Sequence, residues 1–267
     1  MGTILFNERK IRYTVKGRGK TIVLIHGFTE TSAIWKSFRK ELTERFRVIT
    51  LDLPGHGKSE CVAEVHTMEL QAEIIKAVLD ASKVKKCLMI GHSLGGYAVL
   101  AFAELYPEML RGLCLFHSHA FADSQTDREN RERTIELVKN DKFGFLTQFI
   151  PSLFPPEVHQ KFSKEIDKLI RQAGTMEKEA IIAALEGMKV RSDRLEVLRN
   201  IQVPVLFILG MKDIKSPIDR LWEMISLPKQ SELLLLGNTG HMGFIEEPSA
   251  VLDVLFNFAR CCLRKKK

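Results

Sequence analysis

The stretch Gly91-His92-Ser93-Leu94-Gly95-Gly96 joins two runs of different periodicity. Residues 87–90 before it are apolar and predict a buried strand, and residues 94–104 after it predict a helix. Ser93 therefore stands on a strand-to-helix turn, the setting of a nucleophile elbow. The small residues Gly91 and Gly95 let such a turn close, and the start of the following helix favours developing negative charge. The stretch predicts Ser93 as a catalytic nucleophile.

Further strands are predicted on both sides of this turn, wherever a short apolar run ends at turn residues. They cover residues 11–15, 21–25, 47–52, 113–116, 205–209 and 233–236. Amphipathic runs that predict helices lie between most of them, for example over residues 32–45, 68–81 and 216–225. Strands that alternate with helices imply an α/β fold with a mostly parallel sheet.

The alternation stops between residues 121 and 200, where only helical patterns and proline breaks occur. A helical block of this length is too long for an ordinary crossover between neighbouring strands. We therefore expect a core domain formed by residues 1–120 and 201–267, with residues 121–200 inserted as a helical cap.

A serine hydroxyl needs a base to take its proton, and the base needs a carboxylate to orient it. Asp213 follows the strand predicted at 205–209, and His241 follows the strand predicted at 233–236. The order Ser93, Asp213, His241, each after its own strand, predicts a catalytic triad. Asp219 is the next candidate for the acid.

An oxyanion hole requires two backbone N–H groups aimed at the carbonyl oxygen of the substrate. The residue after the nucleophile, Leu94, supplies one. We expect the second from Phe28, in the loop His26-Gly27-Phe28-Thr29 that follows the strand at residues 21–25.

The substrate pocket is predicted from aromatic and polar residues near these strand ends. Phe149 belongs to a phenylalanine-rich part of the cap, and Trp35 is assigned either to the pocket wall or to the core. His117 and His119 lie at the end of a predicted strand, and we expect them at the mouth of the pocket. They lack a third ligand in sequence, so we expect no metal site, and the chemistry requires no cofactor.

Five segments together resemble the successive signatures of the α/β-hydrolase superfamily. They are His26-Gly27-Phe28, Asp52-Leu53-Pro54-Gly55-His56-Gly57-Lys58-Ser59, Gly91 to Gly96, Gly210-Met211-Lys212-Asp213 and Gly240-His241. The resemblance spans nearly the whole core and implies an eight-stranded, mostly parallel sheet flanked by helices, with a helical lid between strands six and seven. Epoxide hydrolases and haloalkane dehalogenases of this fold use an aspartate at the elbow, so Ser93 argues against both.

The composition restricts which binding partners and which cellular compartment we expect. Lys and Arg number 40 against 33 Asp and Glu, but most basic residues are interspersed with acidic ones. We therefore expect a small-molecule substrate and neither nucleic acid nor membrane as a partner, and a homodimer stays open. The basic run from Arg264 through residues 265–267 is interpreted as a solvated tail. The polar start predicts no signal peptide, and five cysteines without paired spacing fit a reducing compartment, so we expect a cytoplasmic protein.

Together these features predict a serine hydrolase, resembling esterases, that cleaves a carboxylic ester with a small or medium acyl group through an acyl-enzyme intermediate. Two alternatives stay open. The same triad on this fold can cleave carbon–carbon bonds or eliminate a leaving group, and some hydrolase-fold proteins act as small-molecule receptors with little turnover.

Overall fold

A computed structural model describes residues 1–216 and 220–264 of the chain. Its sheet has eight strands in the order β1-β2-β4-β3-β5-β6-β7-β8. The strands are β1 (Gly2–Phe6), β2 (Arg9–Lys16), β3 (Thr21–Ile25), β4 (Arg47–Leu51), β5 (Cys87–His92), β6 (Leu110–Phe116), β7 (Val205–Gly210) and β8 (Ser231–Leu236). Strands β1, β2 and β4 pair antiparallel, and all other neighbours are parallel. The predicted fold class is confirmed.

The central strands β3 and β5 are buried along their whole length, which matches their continuous apolar sequence. The parallel strands from β3 to β8 all run the same way, so their carboxyl ends lie at one edge of the sheet. The loops after β3, β5, β7 and β8 therefore meet there, which is where open α/β sheets place their sites.

Ten helices accompany the described strands. They are α1 (Lys36–Leu42), α2 (Met68–Ala81), α3 (Leu94–Leu105), α4 (Gln125–Phe149), α5 (Ser163–Gly174), α6 (Lys178–Lys189), α7 (Leu195–Asn200), α8 (Leu221–Ile225), α9 (Gly243–Glu246) and α10 (Pro248–Cys262). Helix α3 packs against β5 and β6, and α10 packs against β6. No helix of the described chain is both long enough and apolar enough to cross a membrane.

Residues 121–200, which we call the cap, leave the sheet after β6 and return before β7, and they contain only helices and 3₁₀ turns. Helix α4 begins with a capping box, in which the Ser124 hydroxyl accepts from the Asp127 amide and the Asp127 carboxylate accepts from the Ser124 amide. At Asp141 the backbone leaves helical geometry, and its carboxylate accepts a hydrogen bond from the Gly144 amide. Cap helix α4 is thus two shorter helices joined by a bend.

Some boundaries differ from the sequence prediction. The helix expected over residues 32–45 is a 3₁₀ turn over Ser32–Trp35 followed by the short α1. The helix expected to begin at Ser216 begins at Leu221. Residues 217–219, including the alternative acid Asp219, and residues 265–267 of the basic tail lie outside the described residues.

Candidate active site

Ser93 lies between β5 and α3. Its backbone has φ 50° and ψ −117°, a conformation that residues other than glycine rarely adopt. The two flanking glycines allow this turn because their neighbours leave no room for a side chain. A Cβ on Gly91 would lie 2.3 Å from the Gly95 carbonyl oxygen, and one on Gly95 would lie 2.6 Å from the carbonyl oxygen of His26. Strain of this kind costs about 1–3 kcal/mol and persists only where the surroundings fix it.

Strand β6 provides that support on one side of the turn. The Ser93 amide donates to the Phe116 carbonyl at 2.9 Å, and the Ser118 hydroxyl donates to the Ser93 carbonyl at 2.8 Å. The main chain on both sides of the serine side chain is therefore held by the loop after β6. The hydroxyl itself faces a cleft that His241 also lines.

Asp213 and His241 form the expected hydrogen bond. The Nδ1–H of His241 donates to Oδ2 of Asp213 at 2.8 Å, which leaves the other ring nitrogen free to act as a base. Burial alone would raise the pKa of Asp213, but the charge of His241 and the hydrogen bonds from His117 and His241 outweigh it and lower that pKa. The His241 amide donates to the carbonyl of the cap residue Leu153 at 2.8 Å, so the cap holds the main chain of the candidate base.

His117 contacts Asp213 and does not line the cleft, so its assignment to the pocket mouth was wrong. Its Nδ1 lies 3.1 Å from the same Oδ2 atom, and its Nε2 accepts from the Gly243 amide at 3.3 Å. An acceptor at Nε2 fixes the proton on Nδ1, so His117 is neutral and donates to the carboxylate. Burial, only partly opposed by Asp213, lowers the pKa of His117 to about 4, which agrees with that tautomer.

The ligand atoms of His117, Asp213 and His241 lie within 4.8 Å of one another and form the only group in the described chain that could hold a metal ion. Both Nδ1 atoms already share Oδ2 of Asp213 through hydrogen bonds. This arrangement is complete with protons in place, so the donor set fits a triad with a second histidine better than a metal centre.

The amides of Phe28 and Leu94 are available for an oxyanion. Neither donates to an acceptor in the described part of the chain. Leu94 is the first residue of α3, where N–H groups have no partner within the helix. In the loop that carries Phe28, the next residue, Thr29, has a φ of 62°.

A buried pair between Glu30 and His92 lies behind this site, and it was not predicted from the sequence. The Nδ1–H of His92 donates to Glu30 Oε2 at 3.0 Å, and its Nε2–H donates to the His241 carbonyl at 2.9 Å. Both partners are acceptors, so His92 carries two protons and a positive charge. Burial alone would raise the pKa of Glu30 and lower that of His92, but their attraction reverses both shifts.

The same Glu30 oxygen accepts from the Gly27 amide at 2.5 Å. One carboxylate thus joins the loop after β3 to the elbow after β5, and through His92 to the loop after β8. A lone acid in a short polar loop gives no sequence signal for this role.

The cleft above Ser93 has a volume of about 350 Å³. Aromatic side chains cover one side of it, where Phe145 stacks on Phe149 and both contact Phe28. Phe149 thus lies where the sequence predicted it. Trp35 is fully buried among Phe38, Phe116 and Phe244. It belongs to the core, which was one of its two predicted positions, and it does not bind substrate as part of the pocket wall, which was the other.

Charged side chains of the cap and of the loop after β7 also line the cleft. Arg131 of α4 and Lys215 lie on it together with Asp127. Arg131 and Arg191 both pair with the buried carboxylate of Asp123. The sequence pattern predicted an amphipathic helix here and did not identify these residues as part of a site.

Comparisons with known proteins show what the chain as a whole is similar to. A sequence-family model described as "alpha/beta hydrolase fold" matches residues 20–248. The structure is similar to that of a thermophilic esterase from Thermogutta terrifontis, solved with malate bound, with a TM-score of 0.91 at 30% identity over 96% of this chain and 95% of that one. The chain is also 29% identical to a 2-hydroxy-6-oxononadienedioate/2-hydroxy-6-oxononatrienedioate hydrolase of Escherichia coli, covering 93% of this chain and 90% of that protein. Its identity to the hydrolase of the same name from Paraburkholderia phymatum is 26%, over 94% of this chain and 91% of that protein.

Proposed function

The chain belongs to the α/β-hydrolase family, and on that premise we propose that it is a serine hydrolase that cleaves a carboxylic ester with a small or medium acyl group. One observation carries the proposal. The strained Ser93 shares a cleft with His241, whose Nδ1–H is held by Asp213 at 2.8 Å. This arrangement supports Ser93 as a nucleophile that His241 activates.

The first half of the reaction forms an acyl-enzyme. Oγ of Ser93 attacks the ester carbonyl carbon as its proton passes to Nε2 of His241. The resulting oxyanion accepts hydrogen bonds from the Phe28 and Leu94 amides, and one such donor contributes about 3 kcal/mol to the transition state. Collapse of the tetrahedral intermediate breaks the bond to the alcohol oxygen, and His241 returns its proton to that oxygen.

The second half releases the acid. Water attacks the acyl carbon while His241 takes its proton, the same two amides hold the second oxyanion, and the bond to Ser93 Oγ breaks as His241 reprotonates it. Throughout, the Asp213 carboxylate stays ionised and stabilises the imidazolium, in agreement with its lowered pKa.

Active-site labelling and turnover together test this proposal. A fluorophosphonate probe should label the wild-type chain at Ser93, and Ser93→Ala should lose the label and lower kcat by about 10⁴-fold or more. The matched control is Ser226→Ala, because Ser226 is exposed at the end of α8 and does not line the cleft, so this variant should keep both label and rate. A label mapped to another serine would overturn the assignment of the nucleophile.

The acyl preference is tested with p-nitrophenyl esters from acetate to dodecanoate. Burying one more methylene contributes about 0.8 kcal/mol, so kcat/KM should climb over a few carbons and fall once the cleft is full. Phe149→Ala removes part of the aromatic wall and should move the optimum toward longer acyl chains. An optimum that stays in place would show that other side chains set the acyl preference.

A second candidate, hydrolysis of a carbon–carbon bond, is favoured by two relatives, which are named as hydrolases of 2-hydroxy-6-oxo-dienedioates. Rapid consumption of such a ketonic dienoate, with slow turnover of every ester, would favour it. Labelling at Ser93 without multiple turnover of either substrate class would favour a hydrolase-fold receptor instead.

A further inference from the structure

Two cationic side chains face the cleft that holds Ser93 and His241. Arg131 reaches it from α4 of the cap, and Lys215 reaches it from the loop after β7. The apolar part of the lining comes from Phe28, Phe145, Phe149, Leu153, Leu185, Met188 and Ile214, and Tyr97, Asn130 and Thr134 add neutral polar groups. A pocket for a neutral ester needs no cation, so these two charges require an explanation.

The acidic groups nearby are already engaged. Asp123 accepts from both Arg131 and Arg191, so one carboxylate faces two guanidinium groups. Asp127, the only acid that lines the cleft among the described residues, accepts from the hydroxyl and the amide of Ser124 at the start of α4. The hydrogen bonds from Ser124 leave the charge of Asp127 in place, so the cleft is lined by two cations against one carboxylate.

Lys215 forms no ion pair with residues 1–216 or 220–264. Its nearest aromatic neighbour is Phe149, with the ammonium 5.4 Å from the ring centroid. Burial lowers the pKa of this ammonium, with Asp213 opposing the shift and Arg131 adding to it. The Lys215 side chain is exposed on the cleft and has no counterion among the described residues, so it is available to an anionic ligand.

The position of Lys215 is tied to the catalytic machinery. Its amide donates to Oδ1 of Asp213 at 2.8 Å, the carboxylate whose other oxygen holds His241. The start of the Lys215 side chain is therefore fixed relative to the candidate base, while Arg131 is fixed through Asp123. Two cations at set places beside one nucleophile form a site for a group of defined charge.

On the premise of the proposed function, we infer that the substrate is an ester that carries a free carboxylate, which Lys215 and Arg131 bind while Ser93 attacks the ester carbonyl. Arginine binds carboxylates through parallel N–H bonds, and lysine adds a point charge. The volume of about 350 Å³ limits the compound to a small half-ester or an acidic ester of similar size.

A pair of substrates that differ only in charge tests the inference. Monomethyl succinate carries a carboxylate where methyl succinamate carries an amide of almost the same shape. We expect wild-type kcat/KM to be at least about tenfold higher for the half-ester, the effect of one charge-assisted hydrogen bond. Added salt should reduce the preference, because the charges are partly exposed.

Variants show which side chains cause the preference for the half-ester. Lys215→Gln should bring the ratio of the two kcat/KM values close to one, and Arg131→Lys should reduce it less than Arg131→Gln does. Lys212→Gln is the matched control, because Lys212 is exposed and pairs with Glu157 outside the cleft, so the ratio should stay at the wild-type value. Thermal unfolding of each variant separates a lost charge from a damaged fold.

A wild-type ratio near one, or a ratio that Lys215→Gln leaves unchanged, would overturn the inference while esters are still hydrolysed. If neither ester is turned over, succinate and succinamide are compared as protectants of Ser93 against the fluorophosphonate. Protection by succinate alone, lost in Lys215→Gln, supports the carboxylate site, and equal protection or none contradicts it.

Failure of Ser93 to label at all is the distinct outcome that rejects the proposed function. Calorimetric titration with succinate then reports on the carboxylate site by itself.

Discussion

At the scale of single residues, one oxygen of Asp213 receives hydrogen bonds from two histidines. His241 lies 2.8 Å from Oδ2 and His117 lies 3.1 Å from it. Because His117 is buried and anchored by the Gly243 amide, its hydrogen bond to Oδ2 restricts the position of the Asp213 carboxylate. We expect His117 to be a positioning residue that acts on the base through Asp213.

His117→Phe should lower kcat by about tenfold with little change in KM, because it removes one hydrogen bond to a charged group. His117→Asn retains a donor and should recover part of the loss. Steady-state kinetics on a p-nitrophenyl ester give the two constants. The proton resonance of the His241 Nδ1–H should also shift in His117→Phe, which a purely structural residue would not cause. An unchanged kcat and resonance in His117→Phe would exclude the positioning role.

The sequence predicted some of these residues because their order along the chain carries the information. Ser93, Asp213 and His241 each follow a parallel strand, and parallel strands end at one edge of the sheet. The direction of a side chain is not encoded in that order. His117 was therefore placed on the pocket, and Trp35 was left open between pocket and core, although both are buried. Glu30 was missed because its partner lies 62 residues away.

At the scale of secondary-structure elements, the buried pair of Glu30 and His92 connects the loops after β3, β5 and β8. Glu30→Gln should lower the free energy of unfolding by about 3 kcal/mol, because breaking a buried ion pair leaves a desolvated charge. The loss should depend on pH. Glu44→Gln is the control, since Glu44 is exposed and should have almost no effect.

The two pKa shifts determine how the stability that this pair contributes changes with pH. The pKa of His92 is raised, so its contribution is complete below the ordinary value of 6.5 and is lost as the pH rises through the folded pKa. The pKa of Glu30 is lowered, so its contribution is complete above 4.5 and is lost as the pH falls. Urea unfolding should show the largest effect of Glu30→Gln between these two values and a smaller one in alkaline solution. An effect independent of pH would mean that His92 is neutral.

Strands and helices with strong periodicity could be predicted, and irregular ones could not. Helix α2 has the predicted limits, since Thr67 caps it and its apolar positions follow one face. Strand β1 was not identified. It is a short edge strand that pairs only with β2. The turn between them lies at Asn7 and Glu8, which both have positive φ, and it contains no glycine by which the sequence could have predicted it.

At the scale of the whole molecule, ion pairs connect the two ends of the cap. Asp123 lies where the chain enters the cap, Arg191 lies near its exit, and Arg131 lies between them on α4. The sequence predicted helices over residues 121–200 from periodicity, but these pairings depend on how the helices fold back on one another. No local pattern encodes that arrangement.

Asp123→Asn should lower the free energy of unfolding by about 3 kcal/mol or more, because it leaves the buried Arg191 without its counterion. Glu69→Gln, which weakens the pair between Glu69 and Arg194, is the comparison. Arg194 is as buried as Arg191, but it keeps Glu104 as a second partner, and the Glu69 side chain is 44% exposed, so we expect a loss of no more than about 1 kcal/mol. Urea unfolding of both variants checks the order, and equal losses would show that burial does not set the strength of these pairs.

The bond between the cap and the candidate base runs from the His241 amide to the carbonyl of Leu153, so it joins main chain to main chain. Replacement of a cap side chain leaves such a bond in place, whatever residue stands at position 153. Mutations that reshape the cleft can therefore accumulate in the cap while the base keeps its position. Proteins that keep this main-chain hydrogen bond can therefore evolve toward a new substrate while His241 stays in position.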